Sequence, residues 1–211
     1  MIVNTGWTAL LWTVIGFLLG SIPFALLIGK LFFKIDIRNY GDGNPGATNL
    51  WKARSFGWGV VAYLFDFFKG AVPVGLCFFL FNIRDWYIVP VALAPVLGHA
   101  FSPFLRFHGG KAIACLYGTW AGLTIWEVPV FLAVATYFFS IFQKVHSWIQ
   151  VITMLAFLGF LVLRYQDQPF FYPFLAIWTG NFAIIIIKHA AELRCRPQPQ
   201  PWILKLLKRS P

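Results

Sequence analysis

Acidic side chains are scarce in this chain: seven Asp and Glu stand among 211 residues, against seventeen Lys and Arg. Cysteine is scarcer still. Cys77, Cys115 and Cys195 show no C-x-x-C spacing, so neither a disulfide framework nor a zinc site is expected. Long polar tracts are missing too. Charged residues make up 11% of the chain while 59% is hydrophobic and 19% aromatic, and a soluble domain of this length could not cover that much apolar surface. No internal repeat, low-complexity tract or soluble module divides the chain, and residues 1–211 read as a single transmembrane domain. The class that remains is an all-α, polytopic integral membrane protein.

About seven segments approach the ~20 apolar residues that a helix needs to span a bilayer. They are 7–33, 57–81, 86–105, 112–126, 128–143, 147–163 and 169–188. Gly, Pro and Trp interrupt the pattern between 86 and 147, and six spans is the alternative count. The first run, WTALLWTVIGFLLGSIPFALLIG, has no basic residue before it and no A-x-A cleavage site, and it continues past Pro23. It reads as a transmembrane helix rather than a removable signal peptide.

With seven spans, fourteen of the seventeen basic residues fall on one side, leaving Arg84 and Arg164 on the other and Lys69 within a span. Cytoplasmic loops are enriched in Lys and Arg, so the amino terminus is expected outside and the carboxyl terminus in the cytoplasm. The cytoplasmic segments are then 34–56, 106–111, 143–147 and a tail over 189–211. The net charge of +10 follows mostly from this asymmetry and from attraction to membrane lipids, and it calls for no nucleic acid partner. The stretch WILKLLKRSP reads as a basic amphipathic segment on the inner leaflet or as a solvated tail. The 24 Phe and 10 Trp suit lipid and interface contact.

Three stretches on the basic side carry chemistry. In YGDGNPGATNL, residues 40–50, Gly41, Gly43 and Gly46 allow backbone conformations closed to other residues and close approach to a ligand. Successive amides there can form an anion nest, and a helix starting near Thr48 would add partial positive charge; the alternative is a flexible connection. In FHGGKAIA, residues 107–114, Gly109 and Gly110 precede Lys111 at the expected start of a helix, as backbone donors with an ammonium or as a helix-initiating turn with a snorkelling lysine. In IIIIKHAAELRC, His189 and Glu192 are three apart and share a helix face. Within the spans, FDFFKG places Asp66 and Lys69 at i and i+3, as a structural ion pair or as a support for the site, and His99 in VLGHAF is either a core histidine or a functional one.

Together these stretches resemble the bacterial acyl-phosphate:glycerol-3-phosphate acyltransferases, the PlsY family. The similarity runs through GSIPFALLIGK, DIRNYGDGNPGATNL, FDFFKGAVPV, LGHAFSPFLRFHGGKAIA and KHAAELR, nearly end to end. The resemblance implies a multi-pass enzyme of the bacterial inner (plasma) membrane. Such an enzyme moves an acyl group from acyl phosphate to the 1-hydroxyl of glycerol 3-phosphate, giving lysophosphatidic acid and phosphate, with no cofactor and no metal. It also implies that Gly41, Gly43, Asn44, Gly46, Ala47, Thr48 and Asn49, with Lys52, Gly109 and Gly110, bind substrate. Lys111 would offset charge on a phosphate or on the acyl oxyanion, and His189 would orient or take the proton of the attacking hydroxyl.

The resemblance is to a divergent member, because several residues depart from the family's pattern. Asp42 stands where the family carries serine, Lys52 where arginine is expected, His146 at a serine position, Glu192 in place of asparagine, and Cys115 in place of threonine. Asp42 and Glu192 could act as bases where the acceptor leaves room, but unpaired they would repel anionic substrates. Other outcomes fit this pattern: an acyltransferase with a less anionic acceptor, a catalytically inactive structural or lipid-binding subunit of a membrane complex, or a transporter. Catalysis requires the two glycine loops to meet around one anion and not to be filled by the chain's own carboxylates.

Overall fold

The computed structural model describes residues 5–203, and every helix or strand-length element within them is helical. Nine α-helices follow one another there: α1 Thr5–Ser21, α2 Phe24–Phe33, α3 Ala47–Ala53, α4 Phe56–Gly75, α5 Ile88–Ala100, α6 Ile113–Thr124, α7 Glu127–Phe142, α8 His146–Tyr165 and α9 Phe171–Leu193. A π-turn, Leu76–Leu80, prolongs α4.

Proline sets the first break. Pro23 has no N–H and its ring opposes a continuous helix, and the α1–α2 axis turns there by 41°. The Ile22 carbonyl at the bend accepts a hydrogen bond from Lys69 Nζ at 2.9 Å. A buried lysine on α4 thus supplies a donor at the break.

Four helical stretches are long and apolar enough to cross a bilayer, namely Phe56–Leu80, Ile88–Leu105, His146–Tyr165 and Phe171–Leu193, and the bent α1–α2 pair brings the number to five. A helix lies in each of the seven expected segments, but α6 has 12 residues and α7 has 16. At about 1.5 Å per residue these fall short of a hydrocarbon core of roughly 30 Å. The difference from seven lies where Gly118, Gly122 and Trp126 interrupt the apolar pattern.

Small residues let the helices meet backbone to backbone. A Cβ on Gly118 would strike the Phe67 carbonyl, and one on Gly70 would strike the Cys115 carbonyl, so α4 and α6 pack in the mode that small residues permit in lipid. The centre is aromatic. Fully buried Trp120 meets Phe157 and Phe174 edge-on, with ring centres 4.7 and 5.4 Å away. Leu11, Leu31, Phe65, Val134 and Leu163 stand exposed on the outer faces, as expected of a surface that meets lipid.

Two polar features brace the bundle. Asp66 and Lys69 form a buried ion pair at 2.6 Å, and His99 Nδ1 on α5 lies 3.6 Å from the same carboxylate. Beyond α9 the chain folds back on the α7–α8 connection: Lys144 N–H donates to the Gln198 carbonyl at 2.8 Å, and Gln200 N–H to the Phe142 carbonyl at 2.9 Å. Of the expected amphipathic stretch Trp202–Pro211, residues 204–211 lie outside the described residues.

Candidate functional site

The first glycine loop is organised from within. Gly41 and Gly43 take φ of 60° and 74°, the left-handed region that favours glycine. Gly46 does not need that freedom: at φ −95° it is the residue before α3, and the expectation drawn from it is corrected here. Asp42 sits at the loop's centre. Its Oδ1 accepts from the Asn44 amide at 3.2 Å and from Asn49 Nδ2 at 2.9 Å, while the same Nδ2 donates to the Asn44 carbonyl at 2.8 Å. Gly43 N–H donates to the Tyr40 carbonyl. Two of the amides expected to cradle an anion are therefore used inside the loop, and α3, only seven residues long, adds little dipole.

The second loop is pressed onto the end of α5. Gly110 N–H donates to the His99 carbonyl at 3.0 Å. A Cβ on Gly109 would strike that carbonyl, and one on Gly110 would strike the His99 imidazole. Lys188 Nζ, on α9, donates to the carbonyls of both Ala100 and Gly109 at 2.9 Å and ties the turn down. Ala112, left-handed at φ 62°, then starts α6.

These constraints aim Lys111 at the first loop. Its ammonium lies 2.7 Å from Asp42 Oδ2 and also contacts Glu192 Oε1. Burial pushes the Asp42 carboxyl up, but hydrogen bonds from Lys111 and from the Asn44 amide outweigh it and hold the group at about 2. Burial likewise depresses Lys111, and the two carboxylates outweigh it, so the ammonium is held above its ordinary range. The two loops meet as expected, and two acidic side chains on one ammonium answer the repulsion expected of Asp42; but they occupy the cation that a phosphate would use, so the condition that the chain's own carboxylates leave this place free is not met, and an anion enters only by exchange with them.

A cavity of about 920 Å³ opens beside this cluster. Its polar end carries Asp42, Asn44, Thr48, Asn49, Lys52, Lys111 and Glu192, with Gly46 and Ala47 in the wall. The rest of the wall mixes apolar side chains, Tyr63 of α4, Ile113 and Tyr117 of α6, Ala133 of α7 and Ile149 of α8, with polar ones, Asp66, His99, Thr136, Ser140 and Gln150. Gly41, Gly43 and Gly109 shape the loops without lining it, and Gly110 lines a second cavity of about 10 Å³ with Asp66, Lys69 and His99, of which Asp66 and His99 line the large cavity as well.

His189 is not in the wall. It is fully buried, its Nδ1 lies 3.3 Å from Glu192 Oε2, and its Nε2 has no hydrogen-bond partner. His146, noted in the sequence only as a departure, does line the cavity, with its ring centre 6.2 Å from that of His189. Lys188 was missed altogether; a lysine following four isoleucines in an apolar helix is the signal that could have marked it. Among the described residues no three His, Cys, Asp or Glu side chains converge as metal ligands.

Residues 10–195 match the model of a family described as Glycerol-3-phosphate acyltransferase. The chain is 38% identical over 192 residues to "Glycerol-3-phosphate acyltransferase 1" of Thermotoga maritima, covering 85% of this chain and 93% of that one. It is 34% identical over 189 residues to "Glycerol-3-phosphate acyltransferase" of Aquifex aeolicus, covering 88% and 93%. The fold superposes on the crystal structure of PlsY, "an integral membrane glycerol 3-phosphate acyltransferase", in its glycerol 3-phosphate form, with a TM-score of 0.77 and 31% identity over 94% of this chain and 98% of that one. The lysophosphatidic acid form superposes with a TM-score of 0.68 and 29% identity, over 95% and 92%.

Proposed function

Since the chain belongs to the glycerol-3-phosphate acyltransferase family, we propose that it transfers an acyl group from an acyl phosphate to the 1-hydroxyl of glycerol 3-phosphate. Lysophosphatidic acid and phosphate are the products. The observation that carries this is the large cavity, which gathers Lys52 and Lys111 beside amide and hydroxyl donors and also offers apolar wall from Tyr63, Ile113, Ala133 and Ile149 for an acyl chain.

The reaction asks for placement more than for chemistry. An acyl phosphate is already activated, so a site that holds donor and acceptor together and offsets developing charge supplies most of the acceleration. In this scheme the Gly41–Asn49 loop and Lys52 hold one phosphate, while Gly109 and Gly110 set the position of Lys111. Phosphate binding then requires Lys111 to exchange its carboxylate partners for phosphate oxygens. Asp42 and Glu192 thereby act as internal competitors of the anionic substrates, and His189 positions Glu192.

In the membrane, the chain makes seven passes with the amino terminus outside and the carboxyl terminus in the cytoplasm of a bacterial inner membrane. The skewed distribution of Lys and Arg supports this orientation. Purified protein given labelled palmitoyl phosphate and glycerol 3-phosphate is expected to yield lysophosphatidate and phosphate, and Lys111→Ala is expected to abolish both. Absence of product with every polyol and polyol phosphate supplied would overturn the proposal.

A further inference from the structure

We propose that residues 195–203, after α9, form a strap that caps the end of α7 and holds the α7–α8 connection in the cavity wall, with Gln143 as the positioning residue that fastens it. Its role in turnover rests on the acyl-transfer reaction proposed above.

The strap is prepared by the sequence RPQPQPW, residues 196–202. In an extended chain alternate residues turn the same way. Gln198 and Gln200 keep their N–H groups on the side that meets α7, while Pro197 and Pro199, which have none, fall on the other, where an edge tolerates proline. Gln143 and Pro199 face each other in an antiparallel bridge. The Lys144 N–H donates to the Gln198 carbonyl on one side of it, and the Gln200 N–H to the Phe142 carbonyl on the other.

The end of α7 needs such a partner. The last carbonyls of a helix find no donor within it. Here the donors come from 60 residues further along the chain: Gln200 Nε2 donates to the Ser140 carbonyl at 2.8 Å, and Trp202 Nε1 to the Ile141 carbonyl at 2.9 Å. Gln143 is itself buried, and its Oε1 accepts from the Val145 N–H at 2.9 Å and from the Gln198 N–H at 3.0 Å. One side-chain oxygen thus joins the connection to the strap. In the first turn of α8, Trp148 Nε1 donates to the Cys195 carbonyl at 2.8 Å and fastens the other end.

The fastened pieces are cavity wall. Ser140, Val145, His146, Cys195 and Gln198 all line the large cavity. Only residues 143–145 link α7 to α8, so any shift of that link moves Val145 and His146 together. The wall adjoins the charged cluster, because the Cys195 N–H donates to the carbonyl of Glu192, whose side chain meets Lys111. A wall already fixed when the substrate arrives costs less ordering on binding, so its loss falls on KM rather than on kcat. Residues 196–203 lie past residue 195, where the family match ends.

The test uses the full-length protein in detergent with palmitoyl phosphate and glycerol 3-phosphate, as wild type, Gln143→Met and Gln143→Glu. Gln143→Met keeps the length of the side chain but not its acceptor, and is expected to raise KM for glycerol 3-phosphate about tenfold with kcat within about twofold. Gln143→Glu keeps an oxygen for both amides and is expected to stay near the wild-type KM. A further variant, Gln143→Cys with Pro199→Cys in a Cys195→Ser background, replaces the glutamine by a covalent link. Facing residues of this kind of bridge have Cα atoms about 4.5 Å apart, within the reach of a disulfide. Its reduced form is expected to show the raised KM and its oxidised form to return to the KM of Cys195→Ser alone, which a folding defect would not do. Whatever the turnover, the Lys144 and Gln200 amides are expected to exchange hydrogen faster in Gln143→Met than in wild type.

Unchanged exchange in Gln143→Met overturns the fastening by Gln143. A wild-type KM in that variant, or a raised KM that the disulfide leaves in place, overturns the positioning role. A wild type that makes no lysophosphatidate overturns the acyl-transfer reaction and the role in it together, whereas an active wild type indifferent to Gln143 overturns the role alone.

Discussion

Lys111 Nζ and Asp42 Oδ2 lie 2.7 Å apart although 69 residues separate them in the chain. The contact joins the two glycine loops, and Glu192 closes it from α9. The same ammonium is thus a structural tie in the free protein and the proposed anchor for phosphate in the occupied one.

Removing the internal competitors is expected to tighten substrate binding. Asp42→Ser or Glu192→Asn should lower KM for glycerol 3-phosphate several-fold, and the double change should give less than the product of the two, because both act on Lys111. The pH dependence follows from the depressed Asp42 carboxyl. Its pKa falls from 3.8 to about 2, so the ion pair is fully present above the ordinary value and is lost only as the pH drops through about 2. Between about pH 5 and pH 8 Asp42 stays ionised, and the gain from Asp42→Ser should be flat across that window. KM values measured over that window check it; an unchanged KM, or a gain confined to high pH, counts against competition by Asp42.

Lys188 holds the second loop by two carbonyls, each at 2.9 Å. Lys188→Met should free the Gly109–Gly110 turn and let Lys111 wander, lowering kcat about tenfold while the cavity walls persist. The loss of hydrogen bonds from a charged donor should also cost about 2 kcal/mol of stability. A thermal melt in detergent and a kinetic comparison read both effects; a wild-type kcat would show that the turn holds itself.

The buried pair of Asp66 and Lys69 predicts an asymmetry between one substitution and two. Asp66→Asn strands the Lys69 ammonium inside the bundle, and breaking one half of a buried pair typically costs about 3–5 kcal/mol. Asp66→Asn with Lys69→Met should recover most of the loss, but not all, because Lys69 also donates to the Ile22 carbonyl at the α1–α2 bend. Melting temperatures of wild type, single and double variants check this, and a double variant less stable than the single one would contradict it.

The helices were legible because apolar runs of bilayer length leave few alternatives, and the loops because Gly41, Gly43, Gly109 and Gly110 interrupt those runs on the basic side. What escaped the sequence depends on rotation about a helix axis or on distance along the chain. His189 and Glu192 share a face at i and i+3, yet the packing of α9 buries the imidazole and leaves the carboxylate in the cavity wall. Lys188, one residue earlier, points to α5 and the second loop instead. The pairing of Asp42 with Lys111 has no local signal, and neither does the approach of His146 to α9.

Orientation in the membrane can be read from one thiol. Cys77 and Cys115 are buried, whereas Cys195 is exposed just beyond α9 and lines the cavity. If the basic side is cytoplasmic, a membrane-impermeant maleimide should leave Cys195 unlabelled in intact cells and label it in inverted vesicles. Cys195→Ser should abolish the signal, since the other two thiols are shielded by packing. Labelling of Cys195 from outside intact cells would reverse the orientation and put the polar end of the cavity on the wrong side for soluble cytoplasmic substrates. The same experiment with glycerol 3-phosphate present adds a second readout: an occupant of the polar end should slow the labelling, because Cys195 shares the cavity wall with Lys111 and His146.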